Sequence, residues 1–230
     1  MRITKKEDIR IKDGRLDPEG DPVDWSKEAP LRGVDLARAN FGEAKLAGAD
    51  LRWADLRWTD LRWTDLRWTD LRWTNFTGAD LRRVKLVGAN LTMADLRKAD
   101  LRKADLQWAD LRKADLQWAD LQWAALWWAD LRGVDLTDEN VAALLLCSWN
   151  VLSSDLTTEL MRLDAANYPD PSRFDAWAQG GACPYQGLPV KRVAQFQESR
   201  KLWSPGPARP AKELLLRIFE EKGVRFEGAP

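Results

Sequence analysis

A leucine or phenylalanine recurs every five residues without a break from Leu31 to Leu136, and we call this residue position i. Five residues at about 100° each would carry position i around a helix by about 140° per repeat, so no apolar stripe would form. A flat strand is excluded as well. Successive apolar positions follow one another at alternating steps of two and three residues, whereas a strand needs every step to be two. The chain must therefore change direction in every repeat. Stacked coils must then share a core that no single repeat could bury alone.

The other positions of the repeat are nearly as regular. Among 22 repeats, position i−2 is Ala at fifteen sites, Thr at four and Val at three, so it is always small or β-branched. Position i−1 is Asp at fifteen sites, position i+1 is Arg at eleven and position i+2 is Trp at nine. Two inward residues separated by an outward Asp make one short extended side, and the next two residues turn a corner.

The tandem motifs ADLRW, TDLRW and ADLRK resemble the pentapeptide-repeat family over about residues 29–138. The resemblance implies a right-handed quadrilateral β-helix with four repeats per coil. On this basis 22 repeats make about five and a half coils, roughly 26 Å long at about 4.8 Å per coil. The expected fold class is an all-β solenoid followed by a small, mainly α-helical module. We expect an N-terminal cap over 1–28, the β-helix over 29–138 and the helical module over 139–230.

Helical spacing replaces the five-residue period after Asp138. The pattern predicts helices from about 138, over 155–166, after Pro171, over 190–203 and over 211–222. Members of the pentapeptide-repeat family can dimerise through C-terminal apolar helices. By this resemblance, the residues expected to mediate dimerisation or partner docking are Val141, Leu144, Leu145, Trp149, Leu214, Leu215, Ile218 and Phe219.

The charges of the chain balance. Lys and Arg together number 36, as do Asp and Glu, and the repeat block alone holds 17 acids and 18 bases. Asp and Arg columns running side by side are expected to neutralise each other through surface ion pairs. Some family members mimic duplex DNA and bind DNA gyrase, which requires a strongly acidic rod. Gyrase or topoisomerase modulation is therefore the alternative function, and direct nucleic-acid binding is not expected.

Catalysis is not expected from this composition. Histidine is absent, which removes His-based general bases, Ser-His-Asp systems and the common zinc sites. Cys147 and Cys183 form no CxxC motif and lack His or clustered Lys that would activate a thiol. With no secretory leader or membrane-spanning stretch in the sequence, we expect a cytoplasmic protein without cofactor, metal or catalytic residue.

Tryptophan is the compositional exception, with 14 residues. In a four-sided rod, Trp53, Trp58, Trp63 and Trp68 occupy the four corners of one coil and form a girdle. Trp73 returns to the corner of Trp53, and a second partial ring lies near the C-terminal end of the block. The candidate partner surface comprises Trp53, Trp58, Trp63, Trp68, Trp73, Trp108, Trp118, Trp123, Trp127, Trp128, Arg57, Arg62 and Arg67.

Three interpretations of the tryptophans remain open. Each indole could lie over a neighbouring arginine such as Arg57 or Arg62 in a cation–π contact. The rings could instead form a protein interface, since Trp and Arg are enriched at hot spots. They could also stack on a saccharide or nucleobase, although the sequence shows no polar cleft. We predict a non-enzymatic interaction scaffold whose partner is another protein or a second copy; a purely structural solenoid is a further alternative.

Overall fold

The computed structural model describes residues 9–12, 15–16, 21–22, 31–145, 147–148, 152–167, 170–181 and 200–227. Trp149, Cys183 and most of the predicted helix 190–203 lie outside the described residues, as does most of the predicted N-terminal cap. The chain forms two compact units. The first unit comprises Met1–Ser148 and Lys222–Pro230, and the second comprises the intervening stretch of sequence, Trp149–Glu221.

The repeat block is a stack of coils linked by parallel bridges between residues 20 apart. Asp35 bridges Asp55, Asp55 bridges Asn75, and the same step recurs up to Asp110 and Asp130. One coil is therefore four pentapeptides, and residues with the same position four repeats apart lie in one column. All position-i residues from Leu31 to Leu136 are buried, as are all i−2 residues from Val34 to Val134. These two positions fill the core, as the sequence predicts.

Each corner is a tight turn with a left-handed residue at position i+2. The N–H of Ala54 donates to the carbonyl of Leu51 at 3.1 Å, and this bond recurs along the block. Positive φ angles occur at every i+2 residue from Gly33 to Gly133, of which sixteen are not glycine. This backbone is typical of a type II turn and costs a non-glycine residue about 1–2 kcal/mol. Burying a leucine in each repeat stabilises the folded chain by about 1.5–3 kcal/mol, which is enough to offset the cost of the left-handed backbone at the corner.

The residues at i−1 and i−2 support these turns with side-chain hydrogen bonds. The carboxylate of Asp55 accepts the N–H of Arg57 at 3.1 Å, and Asn75 does the same for Thr77 at 2.9 Å. This Asx-type bond explains why Asp or Asn dominates position i−1. Where position i−2 is threonine, the buried hydroxyl donates to a main-chain carbonyl; Thr74 reaches Leu51 at 2.8 Å. The polar residues of the repeat are therefore part of its backbone scaffold.

The last coil is covered by two separate pieces of the first unit. Helix α1, Asp138–Leu145, is followed by Ser148, whose N–H donates to the carbonyl of Ala124 at 2.8 Å. On another side the C-terminal segment pairs with the rod: Arg225 bridges Asp130 in parallel, and the N–H of Leu131 donates to the carbonyl of Arg225 at 2.7 Å. These pairings continue the ladder beyond the repeat block.

The C-terminal segment 222–226 is a detached repeat. Gly223 has the positive φ of position i+2, Val224 is buried like position i−2, and Arg225 takes the pairing of position i−1. Its sequence KGVRF matches RGVDL, which occurs at 32–36 and 132–136. The sequence interpretation placed this segment in the helical module because it stands far from the block. The compact units follow spatial packing instead, so 222–227 lies with the repeats.

The second unit is helical. It contains α2 (Ser154–Ala166), α3 (Ser172–Ala178), a 3₁₀ turn (Arg200–Leu202) and α4 (Ala211–Glu221). Helix α2 begins at the N-cap Ser153 and contacts α4, and Glu159 of α2 forms ion pairs with Arg209 and Arg217. The helices predicted over 155–166, after Pro171 and over 211–222 are present. No helix among the described residues is both long and apolar enough to cross a bilayer.

The N-terminal region contributes a small antiparallel sheet to the first unit. Its strands are β1 (Arg10–Lys12), β2 (Arg15–Leu16) and β3 (Asp21–Pro22), in the order β2-β1-β3.

Candidate functional site: the tryptophan columns

Nine tryptophans stand at the corners of the coils, and the columns bring some of them into contact. The rings of Trp53 and Trp73 stack with centroids 4.5 Å apart and planes 3° apart. Trp108 and Trp128 stack at 4.7 Å and 16°. Both spacings are close to the distance between paired strands, so neighbouring indoles in one column stack face to face along the rod.

The other indoles of the first girdle also lie against the next residue of their own column. A Cβ built on Gly78 would lie 2.4 Å from the ring of Trp58, and one on Gly88 would lie 2.3 Å from that of Trp68. The guanidinium of Arg83 lies 4.3 Å from the ring of Trp63. Each of these indoles therefore leans toward the C-terminal end and covers the coil that follows.

The arginines predicted to lie over the rings bind aspartates instead. Nε of Arg57, Arg62 and Arg67 donates to Asp55, Asp60 and Asp65, each at 2.8 Å, and Nη2 completes a bidentate pair. The cation–π contacts of the described rod use Arg83 over Trp63 and Arg72 over Trp73. Among the described residues, Arg57 and Arg62 form no cation–π contact and bind Asp55 and Asp60. Arg72, at the same position i+1, binds Asp70 and also lies 5.8 Å from the ring of Trp73.

On one side of the rod the ion pairs join into a ladder. Arg62 lies 3.6 Å from Asp80 in the next coil, Arg82 lies 3.5 Å from Asp100, and Arg102 lies 3.5 Å from Asp120. Each arginine therefore faces its own aspartate and the one above it. This arrangement neutralises the surface and leaves no extended acidic stripe.

Arginines also favour the ionised form of several position i−1 carboxylates. Hydrogen bonds from Arg57, Arg62 and Arg67 hold the pKa of Asp55, Asp60 and Asp65 below its ordinary value. For Asp100, burial by itself raises the pKa, but the bonds and charge of Arg102 outweigh it and the net pKa is lowered. Such groups neither donate nor accept a proton near neutral pH, which makes them unsuited to general acid–base work.

One side of the rod differs from this pattern. We call it the Trp68 face; it consists of the repeats centred on Leu46, Leu66, Leu86, Leu106 and Leu126, which are joined by the bridges from Lys45 to Ala125. Between Lys45 and Trp128 this face has three basic and two acidic residues, and its i+1 column holds one arginine, Arg67. The corner that ends this face has no charged residue; its i+2 members are Gly48, Trp68, Gly88, Trp108 and Trp128.

The tryptophans of this corner are well exposed. The exposed fractions are 69% for Trp68, 57% for Trp108 and 47% for Trp128. With about 150–250 Å² per side chain, they offer roughly 260–430 Å² of indole, which is in the range of functional apolar patches. The three other corners each combine tryptophan with charged residues at i+2, such as Lys113, Lys98 and Arg83.

The remaining candidate residues have other surroundings. Trp127 is half-buried and its Nε1 donates to the carbonyl of Ser148 at 3.0 Å, so it fastens the end of the rod. Trp123 is half-buried, whereas Trp118 is exposed. The expected docking residues of the helices are buried in the folded chain and are not available to a partner: Val141, Leu144, Leu145, Leu214, Leu215, Ile218 and Phe219. Trp149 lies outside the described residues.

Comparison with known proteins agrees with this architecture. Coils of four five-residue sides define a pentapeptide-repeat solenoid, and a family model described as pentapeptide repeats matches residues 27–62, 64–102 and 99–138 with 8 copies. The chain belongs to the pentapeptide-repeat family. A search of curated proteins finds no match.

Solved structures of other proteins match about half of this chain. A pentapeptide-repeat protein from the Arabidopsis thaliana thylakoid lumen is 25% identical, with 50% of this chain and 77% of that chain covered and a TM-score of 0.43. Rfr23 from the cyanobacterium Cyanothece 51142 is 32% identical, with 48% and 84% covered and a TM-score of 0.40. QnrB1, a plasmid-mediated fluoroquinolone resistance protein, is 16% identical, with 51% and 82% covered and a TM-score of 0.21.

Proposed function

We propose that this protein is a non-enzymatic interaction scaffold that presents the Trp68 face to a protein partner. The observation that carries the proposal is the uncharged corner with three exposed tryptophans, on a rod whose other corners mix tryptophan with charged residues. Tryptophan dominates binding hot spots because one side chain removes a large apolar area from water at a low entropic cost.

The backbone under these side chains favours binding. Trp68, Trp108 and Trp128 all have φ near +60°, held by the turn bonds and by pairing to the neighbouring coils. Binding of a partner therefore does not require the backbone that carries these three tryptophans to become ordered. This saving is what preorganisation contributes to affinity.

The alternatives have less support. A gyrase or topoisomerase modulator that mimics DNA needs an acidic surface. In the described rod, ion pairs such as Asp55–Arg57 and Asp130–Arg132 neutralise the aspartate carboxylates. A purely structural solenoid would need its tryptophans for stability. That role fits Trp63 under Arg83, but it does not explain why the i+2 residues of one corner include no charged residue. We also propose, from the family resemblance, a right-handed rod of about five and a half coils. The two cysteines, which form no CxxC motif or disulfide framework, support our proposal of a cytoplasmic location.

Affinity capture from a lysate of the source cells tests the proposal. The baits are the full chain, the variant Trp68→Thr/Trp108→Thr/Trp128→Thr, and the matched control Trp58→Thr/Trp63→Thr/Trp118→Thr. Both variants remove three corner indoles, but only the first removes them from the Trp68 face. We expect a specific partner to be lost with the first variant and kept with the control. Equal capture by the full chain and the first variant would contradict the proposal.

A further inference from the structure

A cleft lies on a corner of the rod other than that of the Trp68 face. It follows the i+2 column from Trp73 to Gly133, and the residues that line it include Trp73, Met93, Arg112, Lys113, Arg132 and Glu227. All of them belong to the first unit. The volume of the cleft is about 760 Å³, and small-molecule sites in proteins measure about 300–1,000 Å³. The cleft therefore has the size of a site for a small ligand.

An indole borders the cleft at its N-terminal end. The ring of Trp73 stacks on Trp53, which stands one coil earlier, with centroids 4.5 Å apart and planes 3° apart. Trp53 is not among the described residues that line the cleft, so Trp73 is the ring of this stack that borders it. The guanidinium of Arg72 lies 5.8 Å from the same ring and does not line the cleft either. A flat aromatic ring bound in the cleft can therefore continue the Trp53–Trp73 stack.

The next corners of the column leave space for such a ring. Met93 follows Trp73, is 45% exposed, and has an unbranched side chain that adapts to an irregular cavity. Lys113 comes next, and its stem lies over Gly133, since a Cβ on that glycine would be 2.9 Å from Cγ of Lys113. Trp73 and Lys113 are corner residues two coils, or about 9.6 Å, apart. A ring stacked on Trp73 thus has a cation further along the same cleft.

The charges that line the cleft favour an anion. The described lining contains three basic side chains and one acidic side chain, which are Arg112, Lys113, Arg132 and Glu227. Glu227 lies 3.8 Å from Arg132, at the end of the cleft away from Trp73. Arg112 binds Asp110 through Nε and Nη2, and its Nη1 has no hydrogen-bond partner among the described residues. Lys113 forms no ion pair with a described residue, so both cations are available to an anionic group in the middle of the cleft.

We infer that this cleft binds a nucleotide, with the base stacked on Trp73 and the phosphate on Lys113 and Arg112. Nucleotides join a flat aromatic ring to a phosphate through one sugar, and arginine and lysine are the side chains that bind phosphate. The sequence pattern shows no polar cleft beside the tryptophans, but stacking brings the basic residues of successive coils next to Trp73. The inference concerns a different corner from the Trp68 face and does not depend on a protein partner there.

The stacking half of the site is tested with adenosine monophosphate, adenosine and ribose 5-phosphate, each titrated against the full chain and followed by the proton and phosphorus NMR signals of the ligand. Trp73→Gly removes the ring, and glycine suits the left-handed backbone of this corner, as at Gly33. Trp118→Gly, on another corner, is the matched control. We expect Trp73→Gly to weaken binding of adenosine monophosphate roughly 5- to 150-fold, the range of one base–aromatic stack, and to leave ribose 5-phosphate unchanged.

The phosphate half is tested with Lys113→Glu. Glu43 stands at a corner with φ of 67°, so the rod accepts glutamate at position i+2. We expect this variant to weaken adenosine monophosphate and ribose 5-phosphate at least about 5-fold and to leave adenosine unchanged. Lys103→Glu makes the same change on another corner of the same stack and should alter none of the three. Lys113→Glu keeps the Trp53–Trp73 stack, so this test stands even if Trp73→Gly disturbs the fold.

Three results would overturn the inference. These are no detectable binding of adenosine monophosphate to the wild type at millimolar concentration, equal losses in the variants and their matched controls, or a single-stranded oligoadenylate that binds the cleft more tightly than the monophosphate. The last result would make the ligand a nucleic acid. None of them bears on the proposed protein partner, because every variant retains Trp68, Trp108 and Trp128.

Discussion

The detached repeat at the C-terminus gives a prediction that can be checked amide by amide. Val224 is 7% exposed and occupies a core position, so Val224→Asp removes about 1.5–3 kcal/mol of apolar burial and adds the cost of burying a carboxylate. Backbone hydrogen bonds hold the segment on the rod, among them those donated by the N–H groups of Trp128, Leu131 and Arg225, and each contributes about 0.5–1.5 kcal/mol. We therefore expect the segment to leave the rod while the coils beneath it stay folded.

Hydrogen exchange measured by NMR reports this release at two positions. The N–H of Trp128 and that of Leu131 donate to the carbonyls of Lys222 and Arg225, at 3.4 and 2.7 Å. A loss of about 2–3 kcal/mol should reduce their protection by roughly 30–150-fold. The corresponding donors one coil earlier, Trp108 and Leu111, bond to Trp127 and Asp130 within the block and serve as internal controls. Unchanged protection of Trp128 and Leu131 in the variant would refute the role of the segment as a repeat.

Two further predictions concern the block itself. Leu81→Asp places a charge at a core position with no exposure and should unfold or fray the rod; a native-like circular dichroism melt would contradict this. The free energy of unfolding should also depend on pH. Because the folded-state pKa values of Asp55, Asp60, Asp65 and Asp100 are lowered, their contribution is complete above the unfolded pKa near 3.9 and is lost as the pH falls through the folded values. Urea titrations should show a plateau from about pH 7 to 5 and a decline below about pH 4.

The sequence predicts the core of this protein well because the pattern and the packing share one period. Leucine every fifth residue is enough to assign the buried positions and the corners, and the apolar spacing of 211–222 is enough to place α4. The pairing distance of 20 residues comes from the family resemblance, and the bridges show it directly. Reading every twentieth residue then separates the Trp68 face from the others.

Other features of the structure are not evident from the residue type at a single position. The left-handed backbone at Trp58 or Lys103 is imposed by stacking, since neither side chain favours it. The aspartates at i−1 look like surface charges, although those from Asp35 to Asp130 also accept an N–H of their own turn. The segment 222–226 could have been found by comparing KGVRF with RGVDL, but its place on the last coil depends on a chain path that passes through a whole helical unit first.

In a four-sided coil, the number of residues between two side chains decides whether they lie on the same face of the rod. Insertion or deletion of one pentapeptide would preserve every turn and every core position, yet it would rotate all later residues by a quarter turn. Removing five residues between Trp68 and Trp108 would move Trp108 to the corner of Trp63, whereas removing twenty would keep it on its own corner and bring it next to Trp68. An insertion or deletion therefore preserves the composition of every face only if its length is a multiple of 20 residues. Other multiples of five keep the turns and the core but place different residues on each face.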